Sequence, residues 1–302
     1  MSAASSDLES APSGLKSSPP GLKRKAAPLT FWHLLSLDAP TVATLWTWFI
    51  AAVCKVHLPL ASPLAMFIAV WMLYVADRLL DARLLDAHPL NTASLEARHL
   101  FHHRHRTAFL ISVAFLSIAL ATLLPFIPAE AIHLYLILGG LTFGYFVLIH
   151  ATSSAHRLPK EFAVGLCFAA ATFIPTVARI PSLRLPLIFP ALLFAGLSCL
   201  NCLFIYTWEH TSSRRTFPPV HSATRLALNH LPLLTTLLIV AASVLTLITG
   251  HTIWPIPLAT ALSATLLLVL NRRRRHFSAL TLRALADLVL LTPVLLIPFL
   301  RK

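Results

Sequence analysis

Long apolar runs separated by short polar segments follow one another along most of the chain. Each run is close to 20 residues, the length that an α-helix needs to cross the hydrocarbon core of a bilayer. The runs lie at 39–58, 61–81, 107–127, 130–150, 160–180, 186–209, 231–250, 253–271 and 281–300. The pattern predicts an all-α integral membrane protein, in which nine transmembrane helices form a single bundle.

The segment before the first run has a different composition. Residues 1–28 are rich in Ser, Pro, Lys and Ala, and no apolar core of signal-peptide length precedes Lys23-Arg24-Lys25. We expect a disordered, basic tail here. Residues 29–302 then form the membrane domain.

Composition agrees with this class. Hydrophobic residues make up 57% of the chain and charged residues 12%. The formal net charge of +13 would suit nucleic acid, but the basic residues lie mostly in short loops between apolar runs. That placement is typical of membrane topology, so we expect no nucleic-acid partner. The expected location is a multi-pass position in a membrane, namely the bacterial inner (cell) membrane.

The distribution of Lys and Arg predicts an orientation. Only five of the 24 fall on one side of the predicted bundle, namely Lys55, Arg179, Arg184, Arg301 and Lys302. The others lie in the tail and in the loops after the second, fourth, sixth and eighth runs. By the positive-inside rule the N-terminus is cytoplasmic, and nine spans place the C-terminus outside.

Two carboxylates close the second run. Asp77 and Asp81 are four residues apart, so they share a helix face. An ionisable group inside a membrane helix costs about 2.5–3.5 kcal/mol at mid-depth, and its presence indicates a cavity, a pathway or a metal site. Five other acids map to the same cytoplasmic half: Asp86, Glu96, Glu161, Glu209 and Asp287.

Basic residues occur at the same depth as these acids. They are Arg78, Arg83, Arg157, Lys160, Arg214 and Arg215. Acids that hold Mg²⁺, together with bases that neutralise the remaining oxygens, suit an anionic headgroup such as a diphosphate. Taken singly, each base is explained as well by an interfacial salt bridge.

These residues resemble the UbiA-type intramembrane prenyltransferases, a family of nine helices with two acidic motifs. Asp77 and Asp81 match the last two acids of its first motif, N-D-x-x-D-x-x-x-D, whose opening Asn-Asp falls on Leu73-Tyr74. The segment Arg157 to Glu161, followed by Gly165, is similar to the lysine-bearing start of the family's fifth helix. Asn201 and Glu209 stand eight residues apart where the second motif aligns.

The resemblance implies a fold, a reaction and a set of site residues. The reaction is the transfer of an isoprenoid chain from a prenyl diphosphate to an aromatic or lipid acceptor, with Mg²⁺. The implied partners are the prenyl diphosphate, membrane lipids and a hydrophobic acceptor. Asp77, Asp81 and Glu209 would be catalytic, and with Asn201 they would hold the metal. Substrate contacts would come from Tyr74, Arg78, Arg157, Lys160 and Asn201.

Other functions stay open at this point. The missing Asn-Asp favours a degenerate family member that binds isoprenoid lipid without catalysis. A terpene-cyclase-like enzyme would use the same diphosphate chemistry with no acceptor. A small-solute transporter would also contain intramembrane acids, although no relay of ionisable groups crosses the middle of the bundle.

Two further features have alternative explanations. The histidines at 99, 102, 103 and 105 could bind a transition metal, or they could belong to a basic amphipathic segment along the headgroups. Asp287 lies one turn beyond Arg283, which an i,i+4 ion pair explains. It could instead replace a missing metal ligand, and we leave it outside the predicted catalytic set.

Overall fold

The structure is a computed structural model, and it describes residues 28–87, 97–151, 159–212 and 221–300. The predicted tail, apart from Pro28, lies outside the described residues. Regular secondary structure in the described ranges is entirely helical. This result confirms the all-α class.

Fourteen α-helices are defined within these ranges. They are α1 (Pro28–Leu34), α2 (Asp38–Val53), α3 (Ala61–Ala87), α4 (Ala97–Arg104), α5 (Arg106–Leu123), α6 (Ala129–Ala151), α7 (Lys160–Arg179), α8 (Ile188–Ser212), α9 (Ser222–Asn229), α10 (Leu231–Ile248), α11 (Gly250–Ile253), α12 (Pro255–Arg272), α13 (Ala279–Leu288) and α14 (Pro293–Leu300). Helix occurs in every one of the nine predicted apolar runs.

Seven helical stretches in the described part of the chain are long and apolar enough to cross a membrane. They cover 61–79, 106–126, 161–179, 188–208, 231–248, 255–272 and 280–300. Helices α2 and α6 occupy the other two predicted runs, and α2 is 16 residues long. The protein is therefore an all-α protein with several membrane-spanning helices.

Some helices direct apolar side chains outward. On α5, Ile111, Phe115 and Ile118 are between 65% and 71% exposed. Their spacing places them along one side of the helix. In a bilayer this side would contact lipid tails, which are as apolar as the side chains themselves.

The core lies where α2, α7, α8 and α12 meet α14 and the short turn that precedes it. Trp46 of α2 is fully buried and stacks near Phe194 of α8, with their ring centroids 4.1 Å apart. Its indole N–H donates to the carbonyl of Leu290 at 2.8 Å. Leu290 belongs to the 3₁₀ turn Val289–Leu291 between α13 and α14. Backbone groups at such a break need other partners inside a membrane, and Trp46 supplies one.

Helices α7 and α8 approach each other closely at Gly165. A Cβ atom built there would lie 2.3 Å from Cys199 Sγ and 2.8 Å from the Cys199 backbone nitrogen. Small residues at helix contacts let membrane helices pack closely. Gly165, which the sequence singled out through the family resemblance, therefore has a packing role.

Candidate functional site

A tight turn between α1 and α2 brings the side chains of His33 and Asp38 into contact. Ser36 has a φ of 55°, in the left-handed region, and the chain reverses there. As a result His33 Nδ1 lies 2.6 Å from Asp38 Oδ2, and each residue is only 1% exposed. The other carboxylate oxygen of Asp38 accepts a hydrogen bond from the Ala39 N–H at 3.0 Å.

Asp287 of α13 reaches the same point from the other end of the sequence. Its carboxyl group is within hydrogen-bonding reach of the Asp38 carboxyl group. His33, Asp38 and Asp287 each offer one possible metal-ligand atom, and these atoms all lie within 4.8 Å of one another. In the described ranges, this is the only group of three or more His, Cys, Asp or Glu side chains with that geometry.

Asn201 of α8 completes the arrangement. Its side-chain nitrogen donates to Asp287 Oδ1 at 3.0 Å, and the residue is 6% exposed. Its side-chain oxygen is buried and has no hydrogen-bond partner among the described residues. A buried acceptor without a donor is uncommon in folded proteins and indicates a missing partner. We call His33, Asp38, Asn201 and Asp287 the acid cluster.

Two of the predicted substrate residues on α3 lie beside the acid cluster. Tyr74 is close enough to Asp38, Asp287 and Arg78 to interact with them electrostatically. The side chain of Arg78 is 12% exposed, whereas that of Asp77 is 58% exposed. Arg78 Nη1 lies 3.4 Å from Asp77 Oδ2. Arg78 therefore lies inside the bundle, whereas the Asp77 carboxylate points outward.

The structure leaves part of the predicted site undescribed. Asp81, Lys160 and Glu209 lie in α3, α7 and α8, but their side chains fall outside the described residues, as does all of Arg157. Their assigned roles stay predictions.

The predicted Mg²⁺ ligands can be compared with the structure at only two positions. Asp77 is exposed and paired with Arg78, while Asn201 contacts Asp287. These two contacts do not join Asp77 to Asn201. The described residues therefore do not by themselves assemble the predicted Mg²⁺ site, and what they do assemble is the acid cluster.

One histidine of the 99–105 group supports the turn beneath the acid cluster. His102 is fully buried, stacks on Phe109 with centroids 4.1 Å apart, and has Nε2 3.4 Å from the Ser36 hydroxyl. Burial, together with the nearby Arg78 charge, lowers the pKa of His102 to about 4. His102 is therefore neutral near pH 7, whereas His105 on the same segment is exposed. The segment packs into the bundle through His102.

A second buried acid lies elsewhere. Glu161, at the start of α7, is 7% exposed and accepts a hydrogen bond from the Thr224 hydroxyl of α9 at 3.1 Å. This bond holds α9 against the start of α7. Glu161 is one of the acids that the sequence placed in the cytoplasmic half, and a structural contact accounts for it.

Sequence reasoning missed Asp38 and set Asp287 aside. An acid in the first turn of a helix is common because it interacts favourably with the helix dipole. The position of Asp38 therefore did not indicate a functional site. Asp287 had a ready explanation in Arg283. The available signal was the scarcity of acids, since only 11 occur in 302 residues.

Comparison with known proteins adds no relative: no family model, no curated protein and no solved structure matches this chain. Any functional conclusion therefore depends on the site itself.

Proposed function

We propose that this chain is a nine-span membrane prenyltransferase, with its N-terminus in the cytoplasm and its site at the cytoplasmic end of the bundle. One observation carries the proposal. Tyr74 and Asn201, two positions where the family resemblance places substrate contacts, converge with the inward-facing Arg78 on one buried polar cluster.

The positions of the charged pairs support the proposed topology. Asp38 begins α2, and Asp287 lies in the first part of the last span, so both belong at the same end. At the opposite end Glu130 and Arg184 form a salt bridge of 2.7 Å. Arg184 is one of the five basic residues that the sequence assigned to that side. Helix in all nine apolar runs supports the count of nine spans.

Arg78 suits the anionic end of the donor. A guanidinium group presents a planar set of N–H donors that matches phosphate oxygens. Its side chain is largely shielded from solvent, which strengthens its attraction for an anion. We assign Arg78 to diphosphate binding.

An open groove between α2 and α3 suits the isoprenoid tail. It has a volume of about 430 Å³, and it is lined by Thr41, Thr44, Leu45, Trp48, Pro63 and Phe67. Thr41, one of the lining residues, lies one turn beyond Asp38 on α2. An isoprenoid chain is wholly apolar and would pack along this surface by van der Waals contact.

The reaction would break the bond between the allylic carbon and the diphosphate oxygen. The electron pair leaves with the diphosphate, and the allylic carbon becomes a cation. The ring of Tyr74 can stabilise that cation through its negative face. An electron-rich acceptor then attacks the allylic carbon and loses a proton. Mg²⁺, which the resemblance implies, would neutralise charge on the diphosphate when bound.

The proposal is tested by incubating purified protein with radiolabelled prenyl diphosphates of several lengths and a membrane-lipid extract, with and without Mg²⁺. Transfer of label to a lipid-soluble product supports it. Arg78→Gln should reduce the rate by about tenfold or more, because a group that stabilises the leaving diphosphate is lost. Arg184→Gln, at the opposite end, should leave the rate unchanged. Absence of any reaction with every donor contradicts it.

The second candidate is isoprenoid-lipid binding without catalysis. The outward position of Asp77 favours it, because that acid is 58% exposed and already paired with Arg78. In the same experiment this function would give saturable binding of the labelled lipid with neither transfer nor diphosphate release. Release without transfer would instead indicate a cyclase-like reaction.

A further inference from the structure

We propose that the acid cluster is a binding site for a divalent transition-metal ion, with His33, Asp38 and Asp287 as ligands and the side-chain oxygen of Asn201 as a fourth. This site is distinct from the Mg²⁺ set that the resemblance implies, and Asn201 is the only residue that belongs to both.

The spacing of the donor atoms fits a single ion. Ligand atoms that bind one metal at about 2.0–2.2 Å can be no more than about 4.4 Å from one another. The three donor atoms in the structure all lie within 4.8 Å of each other. Shifts of a few tenths of an ångström would therefore bring them into coordination. Three different helices supply these atoms, and α8 supplies Asn201.

Asn201 supplies the independent indication of a ligand. The amide nitrogen bonds to Asp287, so the amide oxygen, which is attached to the same carbon, lies beside that carboxylate. That oxygen is buried, and no described residue donates to it. A hydrogen-bonded network that needed no ion would leave this acceptor unsatisfied, at a cost of about 1–3 kcal/mol. A cation would satisfy it directly.

The charges of the Asp38 and Asp287 carboxylates also favour a bound cation. A buried carboxylate and a partly buried one, close enough to hydrogen-bond, repel each other if both are ionised. A divalent cation removes that repulsion, since two carboxylates and a neutral imidazole balance its charge. The cations that face the cluster are Arg78 of α3 and Arg283 of α13, which interact electrostatically with Tyr74 and Asp287 respectively.

The ligand types indicate the class of metal. Mg²⁺ prefers oxygen ligands alone and keeps several waters. An imidazole nitrogen beside carboxylates suits Mn²⁺, Fe²⁺, Co²⁺ or Zn²⁺. Asp287 is only partly buried, so the cluster adjoins an accessible surface through which an ion can enter.

The test uses the full chain, purified in detergent and stripped of metal with a chelator. Co²⁺ serves as the probe, because its visible absorption changes when nitrogen and oxygen ligands replace water. We expect about one Co²⁺ per chain, displaced by Zn²⁺ but not by excess Mg²⁺. Asp287→Asn and His33→Gln should each weaken binding about tenfold or more. The exposed counterparts Glu130→Gln and His57→Gln should bind Co²⁺ like the unaltered chain.

A variant that binds Co²⁺ more tightly is also needed, because misfolding can explain a loss of affinity but not a gain. Asn201→Asp adds a negative ligand at the position of the unpartnered oxygen, so it should bind Co²⁺ more tightly, by about tenfold. Weaker or unchanged binding by this variant contradicts the role of Asn201. Binding that survives in both Asp287→Asn and His33→Gln, or that Mg²⁺ displaces readily, overturns the proposal, as does the lack of a Co²⁺ site.

This inference and the proposed function can fail separately. Co²⁺ binding is measured with no diphosphate present, so a chain without transferase activity could still bind the ion. A chain that transfers prenyl groups with Mg²⁺ but binds no Co²⁺ would keep the proposed function and reject the metal site.

Discussion

Asn201 donates its side-chain nitrogen to Asp287 Oδ1 at 3.0 Å, and this bond joins α8 to α13 inside the bundle. The two residues are 86 positions apart in sequence. One of them was predicted to bind metal and substrate, and the other was left outside the predicted site. Their contact places the Asp287 carboxyl group beside a position that the sequence predicted to bind metal.

Asp287→Asn should leave the protein at least as stable as the unaltered chain in the absence of metal. The change removes one of two adjacent carboxylates and retains an oxygen that can accept from Asn201. Functional sites often hold such unfavourable groups, and their removal commonly gains about 0.5–2 kcal/mol. Thermal unfolding in detergent, followed by circular dichroism with a chelator present, measures the difference. A marked loss of stability would show that Asp287 is needed for folding.

His33→Ala should destabilise the protein strongly. The histidine contacts Asp38 at 2.6 Å with both side chains almost fully buried, and removing it deprives a buried carboxylate of its histidine partner. Such a loss costs about 3–5 kcal/mol. The comparison is Glu130→Ala, which breaks an exposed salt bridge of 2.7 Å. Exposed pairs contribute about 0–1 kcal/mol. Equal losses in the two variants would contradict the assigned burial of the His33–Asp38 pair.

His102 should make stability depend on pH on the acidic side. Its pKa is lowered to about 4 by burial and by Arg78, against about 6.5 in an unfolded chain. The unfolded state therefore binds the proton more readily, so stability is complete above about pH 6.5 and falls as the pH drops toward 4.

The variant His102→Phe keeps the ring that stacks on Phe109 and removes the titrating group. Thermal unfolding between pH 4.5 and 8 should show a smaller acid-side loss of stability, by about half or more, in this variant. His57→Gln, which changes an exposed histidine, should follow the unaltered chain. Identical pH profiles for His102→Phe and the unaltered chain would show that His102 is not held in its neutral form.

Gly165→Ala should destabilise the contact between α7 and α8. The added Cβ would lie 2.3 Å from Cys199 Sγ and close to backbone atoms, so the helices must move apart. Overpacking of this kind costs about 1–3 kcal/mol. Gly144→Ala is the matched change in α6, where nothing lies within 4 Å of the new atom. It should gain about 0.5–1 kcal/mol from helix propensity. Thermal unfolding of both variants measures the contrast.

The positions of the helices could be predicted from sequence because span length is fixed by the bilayer. Helix occurs in each predicted run, from Asp38 to Leu300. The predicted helix ends were less accurate where a local turn, and not the thickness of the bilayer, ends the helix. The first run was predicted to reach 58, but α2 ends at Val53 and a turn with Lys55 at φ 55° follows.

The candidate site was only partly predictable. Tyr74, Arg78 and Asn201 were identified from local motifs, and each has a described neighbour in or beside the acid cluster. Asp38 and His33 could not be identified in this way, because their proximity to Asp287 is set by packing between the first and last helices. The contact of His33 and Asp38 with Asp287 cannot be predicted from the spacing of residues within one segment.

The central claim is that prenyl diphosphate reacts beside the acid cluster, and the rate of diphosphate release tests it most directly. Unaltered chain, Arg78→Gln and Arg184→Gln are reconstituted in vesicles with a radiolabelled prenyl diphosphate, a lipid acceptor extract and Mg²⁺. The account predicts that Arg78→Gln loses about 90% of the rate or more while remaining folded, and that Arg184→Gln loses none. Full release by Arg78→Gln, or no release by the unaltered chain with any donor length, would contradict it.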